Sequence, residues 1–430
     1  MQNKQILWLS IIVIIVIAAC AIYFFGGGSN TSFQSSYIDN PTAPTVTGFE
    51  VYQVPNMAEP RARTPYKDEV FGTYVVRVTD RTTDLAADDE SNGMKNEYSR
   101  VQSFNSNGEY ILVRGTESTW YIYDAETLKP IQSNIPVRDE PRWDVNDPNK
   151  LYYNEETKLM VYDVQSQQSS VVHDFADDLP EEDLAAVWSR YEGSPSMDGR
   201  YWGLMAQDEE GNVHAYLVYD QDQDQVIAKK EINSDVIDAV TISPLGNYFL
   251  ACDDNRGMVV YDRQLTKEVA VIPNVGHVDA ALDAQNKEVI VYQDTGNDTI
   301  AMADLETGEV TSLWPIDFSH APLGFHISGR ALNKPGWALI SCYGAGSECF
   351  TWMDNQIFAI ELKPNGTVAR LAHHHSVYNE GVEQDYWAEP QASVNQDFTK
   401  ILFTSNWGRT GTDEVDMYMI ELPQNWMDNL

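Results

Sequence analysis

Residues 259–265 read VVYDRQL, an apolar strand that ends in tyrosine and aspartate and continues into a polar turn. Closely similar phrases occur six more times, and in each the apolar run ends on an acidic residue. Successive acids are separated by roughly 40 to 60 residues, a period typical of stacked supersecondary units. The seven acids are Asp124, Asp163, Asp220, Asp262, Asp304, Glu361 and Glu421. Because every unit is strand-rich, the repeat predicts a β-propeller.

A tight turn and a second apolar strand precede each acid. Ser106-Asn107-Gly108 is followed by YILVRG, and Met197-Asp198-Gly199 is followed by YWGLMAQ. Gly, Asn and Asp supply the backbone geometry of hairpin turns, and the following strands are rich in β-branched and aromatic residues. Seven such pairs predict an all-β fold of seven four-stranded blades over residues 66–430.

Ring closure requires a further strand. Residues 72–79, GTYVVRVT, form a lone strand before the first full blade, and the last blade, near residues 389–422, contains only three clear strands. We therefore expect the N-terminal strand to complete the last blade, so that the ring closes without a free edge.

The first 25 residues predict a membrane anchor or a lipoprotein signal. Residues 6–25 form an uncharged apolar run long enough to span a bilayer as a helix. Lys4 precedes the run and no basic residue follows until Arg61, so the positive-inside bias places the propeller outside the cytoplasm, in the periplasm or outside the cell. Residues 17–20, IAAC, also resemble a lipobox that would lipidate Cys20. Residues 26–65 are rich in Gly, Ser, Asn, Thr and Pro and predict a flexible linker.

The formal net charge of −37 argues against nucleic acid as a partner, because polyanions repel each other. The acids are dispersed among loops apart from residues 174–183, which indicates a solvated acidic surface. Cys342 and Cys349 are close enough in sequence to form a disulfide in an oxidising compartment.

The innermost strand of each blade lines the channel of a propeller, and its polar side chains are candidate site residues. Residues two apart on a strand face the same way. This spacing joins Tyr98 with Arg100, Glu140 with Arg142, His277 with Asp279, and Glu389 with Gln391, while His326 lies on another innermost strand. Arginine pairs bidentately with carboxylates, and histidine with carboxylate or amide oxygens binds divalent ions. Such a mouth suits a carboxylated sugar. Alternatively, these residues form hydrogen bonds and ion pairs that join the blades.

Six of the eight histidines follow residue 276. Three of them, His373, His374 and His375, are consecutive and lie after the outer strand of blade 6. Consecutive residues cannot all bind one ion from a strand, but His374 and His375 are candidates to reach the channel from a loop. The alternative is a polar loop without a function.

The later blades resemble WD40-like propellers related to oligogalacturonide lyase. The resemblance is clearest in GHVDAALDAQNKEVIVYQD, FHISGRALNKPGWALIS, LAHHHS and EPQASVNQDFTKILFTSNWG, between His277 and Trp407. It implies a manganese ion held by three histidines and a glutamine, and a histidine and an arginine that assist removal of the proton α to a uronate carboxylate. Here Glu389 and Gln391 stand where that family has a pair of metal-binding histidines.

The resemblance therefore implies a metal-assisted uronate lyase bound to manganese or calcium. The candidate metal ligands are His277, His326, His374, His375, Glu389 and Gln391. Arg100 or Arg142 would bind the substrate carboxylate, and His277 or His326 would act as the base. The alternative is a non-catalytic propeller of the cell envelope that binds a glycan or serves as a scaffold for a protein. The expected partners are accordingly an acidic oligosaccharide or an envelope protein. Fold alone does not distinguish these functions.

Overall fold

The computed structural model describes residues 36–179, 184–379 and 381–430. Within these ranges the strands form seven antiparallel sheets, six with four strands and one with five. The predicted all-β, seven-bladed propeller is therefore confirmed. Short 3₁₀ helices occur at Phe175–Asp177, Glu383–Ala388 and Trp426–Asn429.

Blades 1 to 6 follow one another along the chain, and each begins with its innermost strand. Blade 1 consists of Met94–Lys95, Tyr110–Gly115, Trp120–Asp124 and Lys129–Gln132. Blade 2 consists of Asp139–Trp143, Lys150–Glu155, Lys158–Asp163 and Gln168–Asp174. Blade 3 consists of Ala186–Trp188, Tyr201–Gln207, Val213–Asp220 and Gln225–Ser234.

The next three blades repeat this order. Blade 4 consists of Ile237–Ile242, Tyr248–Asp253, Gly257–Asp262 and Glu268–Ile272. Blade 5 consists of Val275–Leu282, Glu288–Asp294, Thr299–Asp304 and Val310–Pro315. Blade 6 consists of Gly324–Ser328, Trp337–Tyr343, Gln356–Glu361 and Val368–His373.

Blade 7 combines the two ends of the propeller chain. From the inside outwards its strands are Ser393–Val394, Lys400–Ser405, Asp416–Glu421, Tyr74–Arg77 and Tyr66–Lys67. Tyr74 pairs with Glu421 and Arg77 with Tyr418 in antiparallel register. The predicted closure by the N-terminal strand is therefore confirmed.

Hydrophobic cores lie between neighbouring blades because both faces of each sheet are buried. Adjacent residues of a strand point to opposite faces. In blade 6, Ile340 packs towards blade 5 and Leu339 towards blade 7. In the closing strand, Val75 packs towards blade 6 and Val76 towards blade 1. The closing strand therefore contributes to both cores that flank blade 7.

In several blades the repeated acid stabilises the turn that follows the third strand. The Asp262 carboxylate accepts hydrogen bonds from the Thr266 amide (2.7 Å), the Thr266 hydroxyl (2.7 Å) and the Lys267 amide (3.0 Å). Asp124 and Asp304 accept equivalent bonds from Thr127 and Thr307. These three acids of the repeat are therefore structural.

Residues 36–65, predicted as part of a flexible linker, instead pack along the propeller, and we call them the N-terminal strap. The Glu421 carboxylate accepts hydrogen bonds from the amides of Tyr37 and Ile38. Val46 forms a β-bridge with Arg370, and Trp407 donates from its indole to the Met57 carbonyl. Apolar and acidic anchors thus override the Gly- and Pro-rich composition that suggested a linker.

The predicted membrane anchor, residues 1–25, and the first part of the linker, residues 26–35, lie outside the described residues. Among the residues that are described, no helix is long and apolar enough to cross a membrane.

Substitution of Val75 by Asp tests the closing strand. Val75 is completely buried, whereas Val271 lies in the outermost strand of blade 4 and is 40% exposed. We expect Val75→Asp to lower the free energy of unfolding by about 3 kcal/mol or more, because a charge enters an apolar core. Val271→Asp is the matched control and should change it by less than about 1 kcal/mol. Equal chemical denaturation midpoints for the two variants would refute the closure.

Substitution of Asp262 by Ala tests the repeated acid. Loss of a charged acceptor for three donors should cost about 1–3 kcal/mol of unfolding free energy. Glu306→Ala, at an exposed position in the corresponding turn of blade 5, is the control. Thermal denaturation provides the comparison, and an unchanged melting temperature for Asp262→Ala would contradict the proposed turn function.

Candidate functional site

Side chains from blades 1, 5, 6 and 7 meet in the channel. The His326 ring lies 4.7 Å from the His277 ring and 5.3 Å from the Tyr98 ring, measured between centroids. His326 Nε2 is 3.4 Å from a Glu389 carboxylate oxygen, and the Tyr343 ring stacks on the imidazole with a centroid distance of 5.0 Å. We define the channel cluster as Lys95, Tyr98, Arg100, His277, His326, Tyr343, Glu389 and Gln391.

The exposure of the side chains increases from the interior of the cluster to its mouth. His326 is 1% exposed and Glu389 is 7% exposed. Tyr98 and His277 are half-buried. Tyr386, three residues before Glu389, is 52% exposed. The rings of Tyr98 and His277 are therefore the accessible surface of the site, whereas His326 and Glu389 are shielded from bulk water.

Lys95 was not predicted as a site residue, yet it lies at the junction between blades 1 and 7. Its side chain is buried and donates to the Gln391 side-chain oxygen and to the Glu97 carbonyl (3.2 Å). The ammonium also lies 5.5 Å from the centre of the Trp387 ring, a cation–π distance. Burial lowers the pKa of Lys95 to about 7, although the negative charges of Glu389 and Glu97 act to raise that pKa.

Gln391 is fixed at the same junction. Its φ of 44° lies in the left-handed region, which residues other than glycine rarely adopt. The Asn96 side chain donates to the Gln391 carbonyl at 2.6 Å, and Asn96 in turn accepts from the Thr404 hydroxyl at 2.8 Å. Hydrogen bonds between blades 1 and 7 therefore maintain the unusual backbone conformation of Gln391.

The acid–base groups of the cluster differ in protonation. Burial raises the pKa of Glu389 to about 7, against the lowering effect of the Lys95 ammonium. Burial and the Arg100 guanidinium lower the pKa of His277 to about 4. Burial, His277, Lys95 and Arg100 hold the pKa of His326 well below its usual range. Both imidazoles are consequently neutral at neutral pH.

The two tyrosines remain protonated phenols. Burial raises the pKa of Tyr98 and of Tyr343 above the usual range, and nearby carboxylates add to the effect. Each phenol is therefore a proton donor adjacent to Glu389 or Glu192.

Arg100 remains at the mouth, whereas Arg142 does not. Arg100 forms an ion pair with Glu192 at 2.5 Å and lines a cavity of 350 Å³ along blades 4 and 5, with Asp238 and Cys252. The guanidinium of Arg142 contacts both Glu97 oxygens at 2.9 Å, the Gly193 carbonyl at 2.8 Å and the Tyr191 carbonyl at 3.0 Å.

These bonds join blades 1, 2 and 3 and occupy the donors that Arg142 would need for a substrate. The predicted substrate-binding function therefore does not fit Arg142. Two other predicted channel acids are also engaged in interblade contacts. Glu140 accepts from the Ser189 amide at 2.9 Å, and Asp279 forms a bidentate ion pair with Arg330.

The ring nitrogens of His374 are occupied by the backbone and the His375 ring stacks on Trp407, so these two histidines do not fit as metal ligands. His374 Nε2 lies 2.9 Å from the Cys342 carbonyl oxygen, and its Nδ1 accepts from the Ser376 amide. His375 stacks on Trp407 at 4.1 Å, and His373 contacts the Asp68 carboxylate at 3.1 Å. The sequence did not predict these tertiary contacts of the triplet.

The residues present do not fit a divalent ion. In the part of the chain that the structure describes, no group of three or more His, Cys, Asp and Glu side chains is arranged to hold a metal ion. His277, His326 and Glu389 are neighbours, but the Gln391 oxygen is bonded to the Lys95 ammonium. An ion bound by Gln391 and Glu389 would face this positive charge at close range.

Cys342 and Cys349 are free thiols, so the disulfide considered from the sequence is not formed. Cys342 lies on the second strand of blade 6, while Cys349 Sγ contacts the Asp354 carbonyl at 3.6 Å. The strap also binds here, because the Gln53 amide contacts the backbone of Cys349.

Several site residues escaped the sequence analysis for identifiable reasons. Lys95 lies on the innermost strand of blade 1, three residues before Tyr98, so the two-residue spacing that joined Tyr98 with Arg100 did not include it. Tyr343 lies on a second strand, and Arg114 and Trp387 lie outside the innermost strands. No sequence pattern distinguishes these three from other polar and aromatic residues.

No family profile and no curated protein matches the chain. Among solved structures, an oligogalacturonate lyase in complex with manganese is 16% identical, with a TM-score of 0.59, and the match covers 90% of this chain and 99% of that one. An oligogalacturonate lyase from Vibrio parahaemolyticus is 13% identical, with a TM-score of 0.56, covering 90% and 100% of the two chains.

The manganese of the first neighbour agrees with the predicted divalent ion, although the donors of this chain differ as described. At these identities the likeness concerns the fold. The predicted resemblance is confirmed at that level: the chain has the seven-bladed propeller fold seen in oligogalacturonate lyases.

Proposed function

We propose that the channel mouth binds a carboxylated sugar and cleaves it by β-elimination, as a uronate lyase. The observation that carries this proposal is the buried Glu389 carboxylate, 3.4 Å from the neutral His326, with the Lys95 ammonium bound to Gln391 two residues further on. A base next to a cation is what removal of a proton α to a carboxylate requires. The lyase names of the structural neighbours support the same reaction class.

Two arginines are suited to bind the substrate carboxylate. Arg100 lines the cavity along blades 4 and 5 and is paired on one side with Glu192. Arg114 donates from Nη2 to the Ser118 hydroxyl, and its buried Nε has no hydrogen-bond partner. A guanidinium with free donors binds carboxylates bidentately. Arg114 therefore takes the place that the sequence analysis gave to Arg142.

Aromatic rings at the mouth provide apolar surfaces for a sugar. Trp387 lies 5.8 Å from the Arg114 guanidinium and 5.4 Å from the exposed Tyr386 ring. Tyr98 covers His326 from the side of blade 1. Such a combination of a few polar groups and aromatic walls is typical of small-ligand sites.

In the proposed reaction Glu389 takes the proton from C5 of the uronate. The electron pair of the broken C–H bond forms the C4–C5 double bond, and the C4–O bond to the leaving sugar breaks. Tyr98 or Tyr343 donates a proton to the leaving oxygen, since both phenols remain protonated. The Glu389 proton returns to the phenolate through solvent in the mouth. His326 and His277, predicted as bases, are weaker bases than Glu389 because of their low pKa values.

We further propose an extracytoplasmic location with tethering through residues 1–25. The apolar run of residues 6–25 and the charge bias around it support this placement. The partner of the protein would then be an acidic oligosaccharide outside the cytoplasm.

A second candidate is a non-catalytic glycan-binding propeller. The observation that favours it is the covering of Glu389 and His326, which are only 7% and 1% exposed. A sugar bound to Tyr98, Tyr386 and Arg114 at the mouth would not reach them without a shift of the rings.

Glu389→Gln distinguishes these functions. The amide preserves shape but cannot accept the C5 proton, so we expect turnover of oligogalacturonate to fall at least about 100-fold. The product is followed by the ultraviolet absorbance of its unsaturated sugar, and binding is followed by calorimetry. Glu309→Gln, at an exposed position just before the outermost strand of blade 5, is the matched control.

Undiminished turnover in Glu389→Gln would contradict the assigned base. Binding of oligogalacturonate by the unaltered protein without any unsaturated product would replace the lyase by the glycan-binding function.

A further inference from the structure

We propose that the Lys95 ammonium is the resident cation of this site and that it stabilises the bound carboxylate without a divalent metal. The inference rests on the proposed function only in taking a carboxylated sugar as the ligand. It makes Lys95, a residue of blade 1 absent from the predicted set, a catalytic residue.

The first argument is position. The Lys95 side chain crosses from the innermost strand of blade 1 to blade 7, where its ammonium contacts the Gln391 side-chain oxygen. Gln391 is one of the two residues at which the chain departs from the paired histidines of the lyase resemblance. The oxygen that would bind a metal ion therefore binds an ammonium group.

The second argument is the charge of the cluster. Arg142 is paired with Glu97, and Arg100 is paired with Glu192. Glu389 forms no ion pair with either arginine. The Lys95 ammonium, held on the Gln391 side chain, lowers the pKa of the Glu389 carboxyl electrostatically. Counting Arg114, whose charge also lowers the pKa of Lys95, four cations face these three carboxylates. A divalent ion would add two charges that no remaining carboxylate of the cluster neutralises.

The third argument is the set of buried atoms that lack partners. Neither ring nitrogen of His326 has a hydrogen-bond partner, nor does the Gln391 side-chain nitrogen, and both residues are at most 1% exposed. Buried polar atoms are normally satisfied, by a ligand where protein and water do not suffice. A neutral imidazole and an amide nitrogen offer donors and an acceptor, which suits hydroxyl and carboxylate oxygens of a sugar.

During the reaction Lys95 would form no covalent bond. As C5 loses its proton, negative charge grows on the substrate carboxylate, and a fixed ammonium in a shielded site stabilises it. The Glu97 carbonyl and the Trp387 ring hold the ammonium in place before substrate binds. The stabilisation therefore requires little rearrangement.

The first test uses manganese alone and the unaltered full chain. Addition of manganese(II) to the purified protein is followed by electron paramagnetic resonance, in which bound ion loses the signal of the free ion. We expect the free-ion signal to remain unchanged, and calcium to give no heat in calorimetry. Stoichiometric binding that is lost in His326→Ala would overturn the inference. This result does not depend on any activity.

The second test measures binding of trigalacturonate with and without a chelator. We expect equal affinity in both conditions, and at least a tenfold loss in Lys95→Met, whose side chain keeps the length without the charge. Lys129→Met, exposed on the outermost strand of blade 1, is the matched control. Thermal denaturation establishes whether Lys95→Met is folded.

The outcomes separate the two proposals. Loss of affinity on chelation would overturn the inference while leaving the sugar-binding function standing. Unchanged affinity in a folded Lys95→Met would overturn it as well. Absence of trigalacturonate binding by the unaltered protein would refute the proposed function, and the manganese experiment would still decide whether Lys95 occupies the cation position.

Discussion

The structure depends on the antiparallel pairing of Tyr74–Arg77 with Asp416–Glu421, which closes the ring between the two ends of the propeller. The pairing completes the two cores that flank blade 7, through Val75 on one face and Val76 on the other. The junction between blades 7 and 1 is also where the candidate site forms. Lys95 and Asn96 of blade 1 bind Gln391 across it. The candidate site therefore depends on the same junction that closes the ring.

Charge burial is the second constraint on this channel. Burying single charges is costly, and the buried Arg142, Glu140 and Asp279 are accordingly paired or hydrogen-bonded. Some pairs serve only to join blades, as Arg142 with Glu97 and Arg330 with Asp279 do. The channel cluster differs because His326 and Gln391 retain buried polar atoms without partners. That difference separates the groups available for a ligand from those committed to the fold.

The sequence predicted the blades well because their signals are local. Alternating apolar residues, turn formers and the acid at the end of each third strand all act within one hairpin, as Asp262 does through Thr266 and Lys267. The expectation that the innermost segment of each blade lines the channel correctly brought together His277, His326 and Glu389. It could not show that Arg142 would be occupied by the backbone of blade 3, since this depends on contacts between blades.

Tertiary contacts also explain the other differences. The strap was unpredictable from composition because its anchors, such as Ile38 on Glu421, join residues nearly four hundred positions apart. Both ring nitrogens of His374 are occupied, one at the Cys342 carbonyl and the other by the Ser376 amide, and no spacing rule reveals these contacts. Lys95 was overlooked because the innermost strand of blade 1 is Met94–Lys95, just before the segment around Tyr98 and Arg100, and an isolated lysine gives no sign of burial. Its function emerges only when blade 7 is placed beside it.

The central claim is that the mouth recognises the carboxylate of an acidic sugar. The most direct measurement compares the affinity of the protein for trigalacturonate and for its methyl ester, which has nearly the same shape without the charge. We predict that esterification weakens binding at least about tenfold, since charge-assisted bonds to Arg114, Arg100 and Lys95 are lost. Equal affinities for the acid and the ester would contradict the claim.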